Sequence, residues 1–390
     1  MAEALQGIVV LDLTAYLAGP YGCTLLGDVG AEIIKIEPPG GDMNRHYPSS
    51  LANESRAFLG ANRNKRSIVL DLKNAEGRAI FYRMVEQADV VVHNFRPTVP
   101  IALGIDYETV RSKRPDIVYC SVTGYGETGP MKDHPGFDTV LQCFTGIASM
   151  QGMSTSVGQP QVMSGSIVDY YTGSMVSIAI LSAIVHRLRT GEGQHVKASL
   201  LRSAIALQAG QFIWAESEPR DVERWWPTGY SGIYPTKDGH VFLQATTPSF
   251  WKNLCDFLDF PQLARDPRFD THIKRTALKD EIRPLIRESL TKRTALEWEE
   301  LMLGQVPCVA VRSIEDMFDH PQVLAQGLVV EHDHPVVGKY RAMSKAVEMG
   351  ISDKPTTRAP MLGEHTDEIL ARFGCEEDEI ASLRAKGAVA

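Results

Sequence analysis

Cysteine is scarce in this chain, with six residues at positions 23, 120, 143, 255, 308 and 375 and no Cys-x-x-Cys pair. That excludes a standard zinc or redox motif and a disulfide framework, and it predicts reduced thiols in a cytoplasmic protein. Positive charge is also in deficit. The net charge is −8, and no basic stretch is long enough to follow a nucleic-acid backbone. The densest basic cluster, Asn62-Arg63-Asn64-Lys65-Arg66, is local and suits a small anionic ligand better than a polymer. Met1 to Gly7 has no basic region followed by an apolar core, so no signal peptide is expected. The apolar stretch Met175 to Val185 is interrupted by Ser177 and Ser182 and is too short to span a bilayer. It reads as a buried helix, and no membrane partner is expected.

What is present suits a large domain joined to a smaller one. A length of 390 residues exceeds a single small core, and 44% hydrophobic with 23% charged residues is ordinary for a globular protein. Strand and helix alternate through the first 130 positions. Ile8 to Leu13 is a branched apolar run, and Gly19-Pro20 then opens a helix through Leu26. Glu32 to Ile36 and Ser67 to Leu72 read as strands. Asn74 caps a helix with Ile80, Phe81, Met84, Val85 and Ala88 at helical spacing. Asp89 to Val92 and Ile117 to Val122 are further buried strands. Repeated β-α-β units predict an α/β, Rossmann-like, largely parallel sheet covered by helices on both faces.

The texture changes after residue 219. Asp238-Gly239 looks like a hairpin turn before His240 to Leu243, and charged helices follow at Lys279 to Leu290 and Ala295 to Leu303. The expected division is a large domain over 1–219, completed by 330–390, and a smaller α+β domain over 220–329. A short helix should follow Gly363-Glu364-His365-Thr366.

The opening β-α-β invites a nicotinamide reading, since Glu37 ends the second strand where an acid would bind a ribose. The fingerprint is missing. The turn reads Ala18-Gly19-Pro20-Tyr21-Gly22, and proline after the first glycine removes an N–H that would face a pyrophosphate.

Asp169 lies in Ser164-Gly165-Ser166-Ile167-Val168-Asp169-Tyr170-Tyr171-Thr172-Gly173, just before the apolar stretch. An acid there carries a cost unless it is solvated, paired or used. One reading is an ordinary first-turn acid; the other is a carboxylate held ready to react near a helix N-terminus.

Several segments together resemble the class III CoA-transferases, the CaiB/BaiF or formyl-CoA transferase family. They are Val10 to Thr14 with Leu17-Ala18-Gly19-Pro20, Gly30 to Glu37, Gly40-Gly41-Asp42, Asn62 to Ile68 and Leu70 to Lys73. Asn94-Phe95-Arg96-Pro97, Gly124 to Pro130 and Arg358 to Thr366 complete the set. The resemblance implies a CoA-transferase acting on an acyl-CoA and a small carboxylate, with no tightly bound cofactor and no metal. It implies that Asp169 is the nucleophile, attacking the thioester to give a mixed anhydride and then an aspartyl-CoA thioester. It places Ala18, Leu70, Lys73, Asn94, Phe95 and Arg96 at the coenzyme, with Leu70 and Phe95 flanking adenine or the pantetheine arm and Lys73 and Arg96 supplying charge. The post-strand turns and the Trp225-to-Gly232 loop become candidates for oxyanion donors and for excluding water. An interlocked homodimer is also implied.

The sequence departs from the family pattern in three places. Pro38-Pro39 and Ala102-Leu103-Gly104 stand where relatives carry arginines, and there is no run of four glycines. The last point disfavours formyl and oxalyl substrates, and the frequency of such donors in the family it resembles implies succinyl-CoA or another short dicarboxyl-CoA as the expected donor. Related α-methylacyl-CoA racemases use a histidine in Gly-His-Asp; here the triplet is Gly136-Phe137-Asp138, and phenylalanine cannot carry a proton. His134 and His365 read as surface or structural residues. A non-catalytic CoA-binding homologue would be expected to lack Asp169.

Overall fold

The computed structural model describes residues 3–51, 54–151, 159–218, 229–350 and 354–390. The chain forms two compact units, Met1–Val222 with Leu324–Ala390, and Glu223–Val323.

In the first unit six strands form one sheet: β1 (Val9–Leu13), β2 (Glu32–Glu37), β3 (Lys65–Val69), β4 (Val90–His93), β5 (Val118–Thr123) and β6 (Gln194–Ser199). Their order is β3-β2-β1-β4-β5-β6, and every pairing is parallel. The β1, β4 and β5 residues are buried throughout, as their unbroken branched apolar runs require of strands covered on both faces. The strand order reverses between β1 and β4, which opens a crevice at their carboxyl ends.

Helices α1 (Ala18–Asp28), α2 (Ala75–Gln87), α3 (Asp138–Phe144) and α4 (Ile167–Thr190) follow from local signals. Asn74 caps α2, its side chain accepting from the Glu76 N–H at 3.0 Å. One face of the sheet packs on Cys23 and Leu26 of α1 and Val176, Ile180, Ala183 and Ile184 of α4. The other packs on Ile80, Phe81, Met84 and Val85 of α2 and on tail residues Ile369, Leu370, Ile380 and Leu383. The tail helices are Thr366–Arg372 and Glu377–Ala385, and Val389 bridges to Leu70 beside the sheet edge.

Strand β6 has no strong sequence signal. It is an edge strand whose Gln194-His195-Val196-Lys197 segment is only partly buried, so its composition stays polar. Helix α4 also differs from the expectation of a buried helix. At 24 residues it is long and apolar enough to match a membrane span, and one side packs on the sheet. Ile178, Val185 and Leu188 on it are exposed.

The second unit holds a three-stranded antiparallel sheet of Gly232–Pro235, His240–Leu243 and Cys308–Ala310. Helices Pro248–Phe257, Lys279–Leu290 and Ala295–Met302 surround a core containing Tyr230, Trp251 and Trp298. Buried Arg275 donates to the Tyr230 hydroxyl at 2.9 Å, the Phe269 carbonyl at 2.9 Å and the Thr246 carbonyl at 2.8 Å, which satisfies its fork.

Candidate active site

The approach of α1 to α4 sets the site. A Cβ on Gly173 would lie 2.8 Å from the Ala18 carbonyl oxygen, and one on Gly22 would lie 2.8 Å from Val176 Cγ1. Only glycine allows the backbones this close, and Ser177 Oγ locks the crossing by donating to the Gly22 carbonyl at 2.8 Å. Asp169 is one turn ahead of Gly173 on the same face, so it projects beside the first turn of α1. The Ala18 and Gly19 amides there have no partner within α1. Gly19 is itself required, because a Cβ would fall 2.5 Å from Thr14.

Asp169 is half-buried, and its carboxylate accepts no hydrogen bond from any described residue. The N-terminus of α4 is capped from outside. Asp138, at the start of α3, accepts from the Val168 N–H at 2.7 Å and the Asp169 N–H at 3.1 Å, while Gln142 donates to its other oxygen at 2.5 Å. The N-cap residue would normally take those amides itself, but the Ser166 side chain makes no capping hydrogen bond. Asp138 takes them, and Asp169 is left free. Burial, and then the nearby Asp138 charge, raise the Asp169 carboxyl from 3.8 to about 7. Backbone strain gathers at the same place, since Ser166 before α4 has φ 52° and Tyr16 before α1 has φ 66°.

The turn after β1 is clamped. Asn94 accepts from the Ala15 N–H at 2.9 Å and donates to the Ala15 carbonyl at 2.7 Å, joining β1 to β4 across the crevice. Asp42 accepts from the Tyr16 N–H at 3.0 Å, and Asn44 donates to the Tyr16 carbonyl at 3.2 Å. These amides are therefore not free to serve as oxyanion donors; the first turn of α1 is the part of this segment left for that role.

A buried ionic network supports the clamp. Lys35 pairs with Asp42 at 2.8 Å and Lys65 with Asp12 at 2.8 Å. Burial alone would raise Asp12, but the Lys65 and Lys35 charges outweigh it and bring the group to about 2. Arg63 pairs with Asp28 at 2.5 Å, and Arg66 with Glu32 at 3.0 Å. The basic cluster at 62–66 thus serves the fold, which corrects its reading as an anion site. Arg45, near the proline pair, grips Glu37 through two 2.8 Å hydrogen bonds and is likewise engaged.

The expected coenzyme residues fall along the carboxyl edge of the sheet. Ala18 is buried at the start of α1. Lys73 and Arg96 are exposed, and their side chains form no hydrogen bond or ion pair with described residues. Phe95 is half-buried and stacks on His93, with ring centroids 5.6 Å apart. Leu70 is different. Its side chain is 1% exposed within the core, so it cannot flank a ligand as expected. The Asn94 amide is engaged by Ala15.

Of the expected Trp225-to-Gly232 loop, residues 225–228 lie outside the described residues, and Tyr230 is buried in the second unit's core. His365 accepts from the Ser67 N–H at 3.2 Å, and exposed His134 rests edge-on against Tyr125 at 6.3 Å.

The family model for CoA-transferase family III matches residues 5–366. The chain belongs to CoA-transferase family III. This CoA-transferase is 33% identical to succinyl-CoA:glutarate CoA-transferase of Homo sapiens, over 99% of this chain and 90% of that one. It is 35% identical to succinate–glutarate CoA-transferase of Agrobacterium fabrum, over 95% of each chain. A crystal structure of a CaiB/BaiF family protein from Brucella suis superposes with a TM-score of 0.83 at 30% identity, covering 96% of this chain and 100% of that one.

The CoA-transferase takes a CoA thioester as substrate. Phe137, where related racemases have a base, is half-exposed and offers no group to move an α-proton. Sequence reasoning missed the capping role of Asp138. The cap reaches 30 residues along the chain, so no local Asp-x-x-Glu type of pattern announces it.

Proposed function

We propose that the enzyme moves CoA from a short dicarboxyl-CoA, succinyl-CoA first among them, to a second small carboxylic acid through a covalent relay on Asp169. The observation that carries this reading is the Asp169 carboxylate, which accepts no hydrogen bond from described residues at a helix start whose amides Asp138 takes. A half-buried carboxylate that holds no hydrogen-bond donor is a better nucleophile than one holding two amides.

In the first step a carboxylate oxygen of Asp169 attacks the thioester carbonyl, and the C–S bond breaks to give a mixed anhydride and CoA thiolate. The thiolate attacks the aspartyl carbonyl, forming aspartyl-CoA and releasing the first acid as its carboxylate. The acceptor carboxylate then attacks aspartyl-CoA, giving a second anhydride and the thiolate again. Attack of that thiolate on the acceptor's carbonyl yields the new acyl-CoA and restores Asp169. The Ala18 and Gly19 amides, at the positive end of α1, are placed to stabilise oxyanions in these steps. Exposed Lys73 and Arg96 supply cations for the coenzyme's phosphates, and Phe95 an aromatic wall.

The relatives' names support a dicarboxylate pair. A homodimer is part of the same reading. Ile178, Val185 and Leu188 on α4, with Phe212 at 67% exposure, form apolar surface that a second copy would cover.

Turnover with an acceptor acid labelled with heavy oxygen tests the relay. The label should appear in the peptide containing Asp169, because the bridging anhydride oxygen stays on the aspartate when the new acyl-CoA departs. Turnover with no label in that peptide would refute it.

A further inference from the structure

Two half-exposed rings at the mouth of the site have no part in the relay. Tyr16 is 42% exposed and Phe137 is 50% exposed, and they meet edge to face with centroids 6.0 Å apart. Phe137 immediately precedes Asp138, the residue that caps the Asp169 helix. Tyr16 is two residues ahead of Ala18 at the start of α1. The pair therefore flanks the carboxylate from both segments that build its surroundings.

The backbone of Tyr16 is costly to hold. A bulky residue at φ 66° lies in the left-handed region that favours glycine. The strain persists because Asp42 and Asn44 grip both backbone groups of Tyr16, and Asp42 is fixed in turn by Lys35. A turn needing this conformation for folding alone is better served by glycine. The ring is not buried, so core packing does not account for it, and its hydroxyl has no partner among the described residues. Strain maintained to present an exposed aromatic with a free donor points to a ligand.

We propose that Tyr16 and Phe137 form the acid-recognition wall of this transferase. The two rings enclose the short carbon chain of the acid, and the Tyr16 hydroxyl donates to the carboxylate far from the reacting end. The substrate class is a short, flexible dicarboxylic acid rather than a monocarboxylate of equal length. A site built around that donor rejects an acid lacking the second carboxylate, because the hydroxyl is then left unpaired against an apolar chain. This inference rests on the transferase reading above but not on the covalent step.

The test compares wild type, Tyr16→Phe, Tyr16→Gly and Phe137→Ala. Each is assayed with succinyl-CoA as donor and either glutarate or valerate, which differ in the far carboxylate, as acceptor. Tyr16→Phe should raise KM for glutarate by about 10- to 100-fold, the range for a lost hydrogen bond to a charged group, and lower it for valerate, since no hydroxyl is then left unpaired. Tyr16→Gly should fold at least as well as wild type and lose the same preference. Phe137→Ala should weaken both acceptors together. Equal effects of Tyr16→Phe on the two acids, or none, would overturn the proposal while leaving the transferase reading intact. Absence of transfer by wild type to any acid would overturn that reading and this one together. Retained transfer by Asp169→Ala would refute the relay alone, and the acceptor preference would still be measurable.

Discussion

Replacing Asp169 with asparagine should stabilise the protein above neutral pH while abolishing transfer. The carboxyl is held at about 7 rather than 3.8, first by burial and then by the Asp138 charge. From pH 3.8 upward the unfolded chain releases this proton, while the folded protein keeps it until about pH 7. The folded state therefore loses stability across that window, and the loss is constant above it. A difference of about three in pKa corresponds to about 4 kcal/mol as a ceiling. Water still reaches the half-buried group, so about 1–3 kcal/mol is expected. Asparagine keeps the shape and removes the titration. Its advantage over wild type should grow between pH 5.5 and 7 and level off near pH 8, where thermal midpoints should differ by a few degrees. Calorimetry of both proteins across that range, beside a coupled transfer assay, measures the two effects. An advantage that does not vary with pH, or an asparagine variant less stable at pH 8, would refute the electrostatic account of this site.

Asp138→Asn should move the acidic limb of the kcat/KM profile to lower pH, because it removes the charge that helps keep Asp169 protonated; a pH–rate series detects the shift. Gly173→Ala should force α1 and α4 apart, since its Cβ would lie 2.8 Å from the Ala18 carbonyl. A cost of about 1–3 kcal/mol in chemical denaturation is expected, with a larger proportional loss of kcat from the displaced carboxylate. Asp12→Asn should cost about 3–5 kcal/mol, because it leaves buried Lys65 without its counter-charge. Wild type incubated with a 2-methylacyl-CoA in deuterated water should show no enzyme-dependent α-deuterium by mass spectrometry, as Phe137 cannot transfer a proton.

Much of the first unit was legible because its signals are local. Branched apolar runs marked β1, β4 and β5, and Asn74 marked the start of α2 by the hydrogen bond it makes. Edge strand β6 was silent because Gln194 to Lys197 are only partly buried or exposed and mostly polar. Family resemblance brought Asp169 and the coenzyme residues into view, but it could not assign side-chain duties. Leu70 packs in the core, and Asn94 clamps Ala15. Asn62 to Arg66 looked like a ligand site because charge composition does not reveal that Asp28 and Asp12 are waiting beneath it. The cap of Asp138 on α4, like the Gly22–Gly173 crossing, joins residues distant along the chain, and only the assembled fold shows such pairs.

The tail that covers one face of the sheet has a consequence for synthesis. Ile80, Phe81 and their neighbours share a cluster with residues as late as Val389, yet the last strand of the six-stranded sheet ends at Ser199. At about 5–20 residues per second, a ribosome needs roughly 10–40 s to travel from that strand to the tail. During the interval the sheet is complete in sequence, with α2 but not the tail helices on one side, while the intervening unit emerges with a core of its own. The nascent chain thus passes through a stage in which the face under α2 lacks the cover of the tail helices, and a premature stop before Thr366 would make that stage permanent.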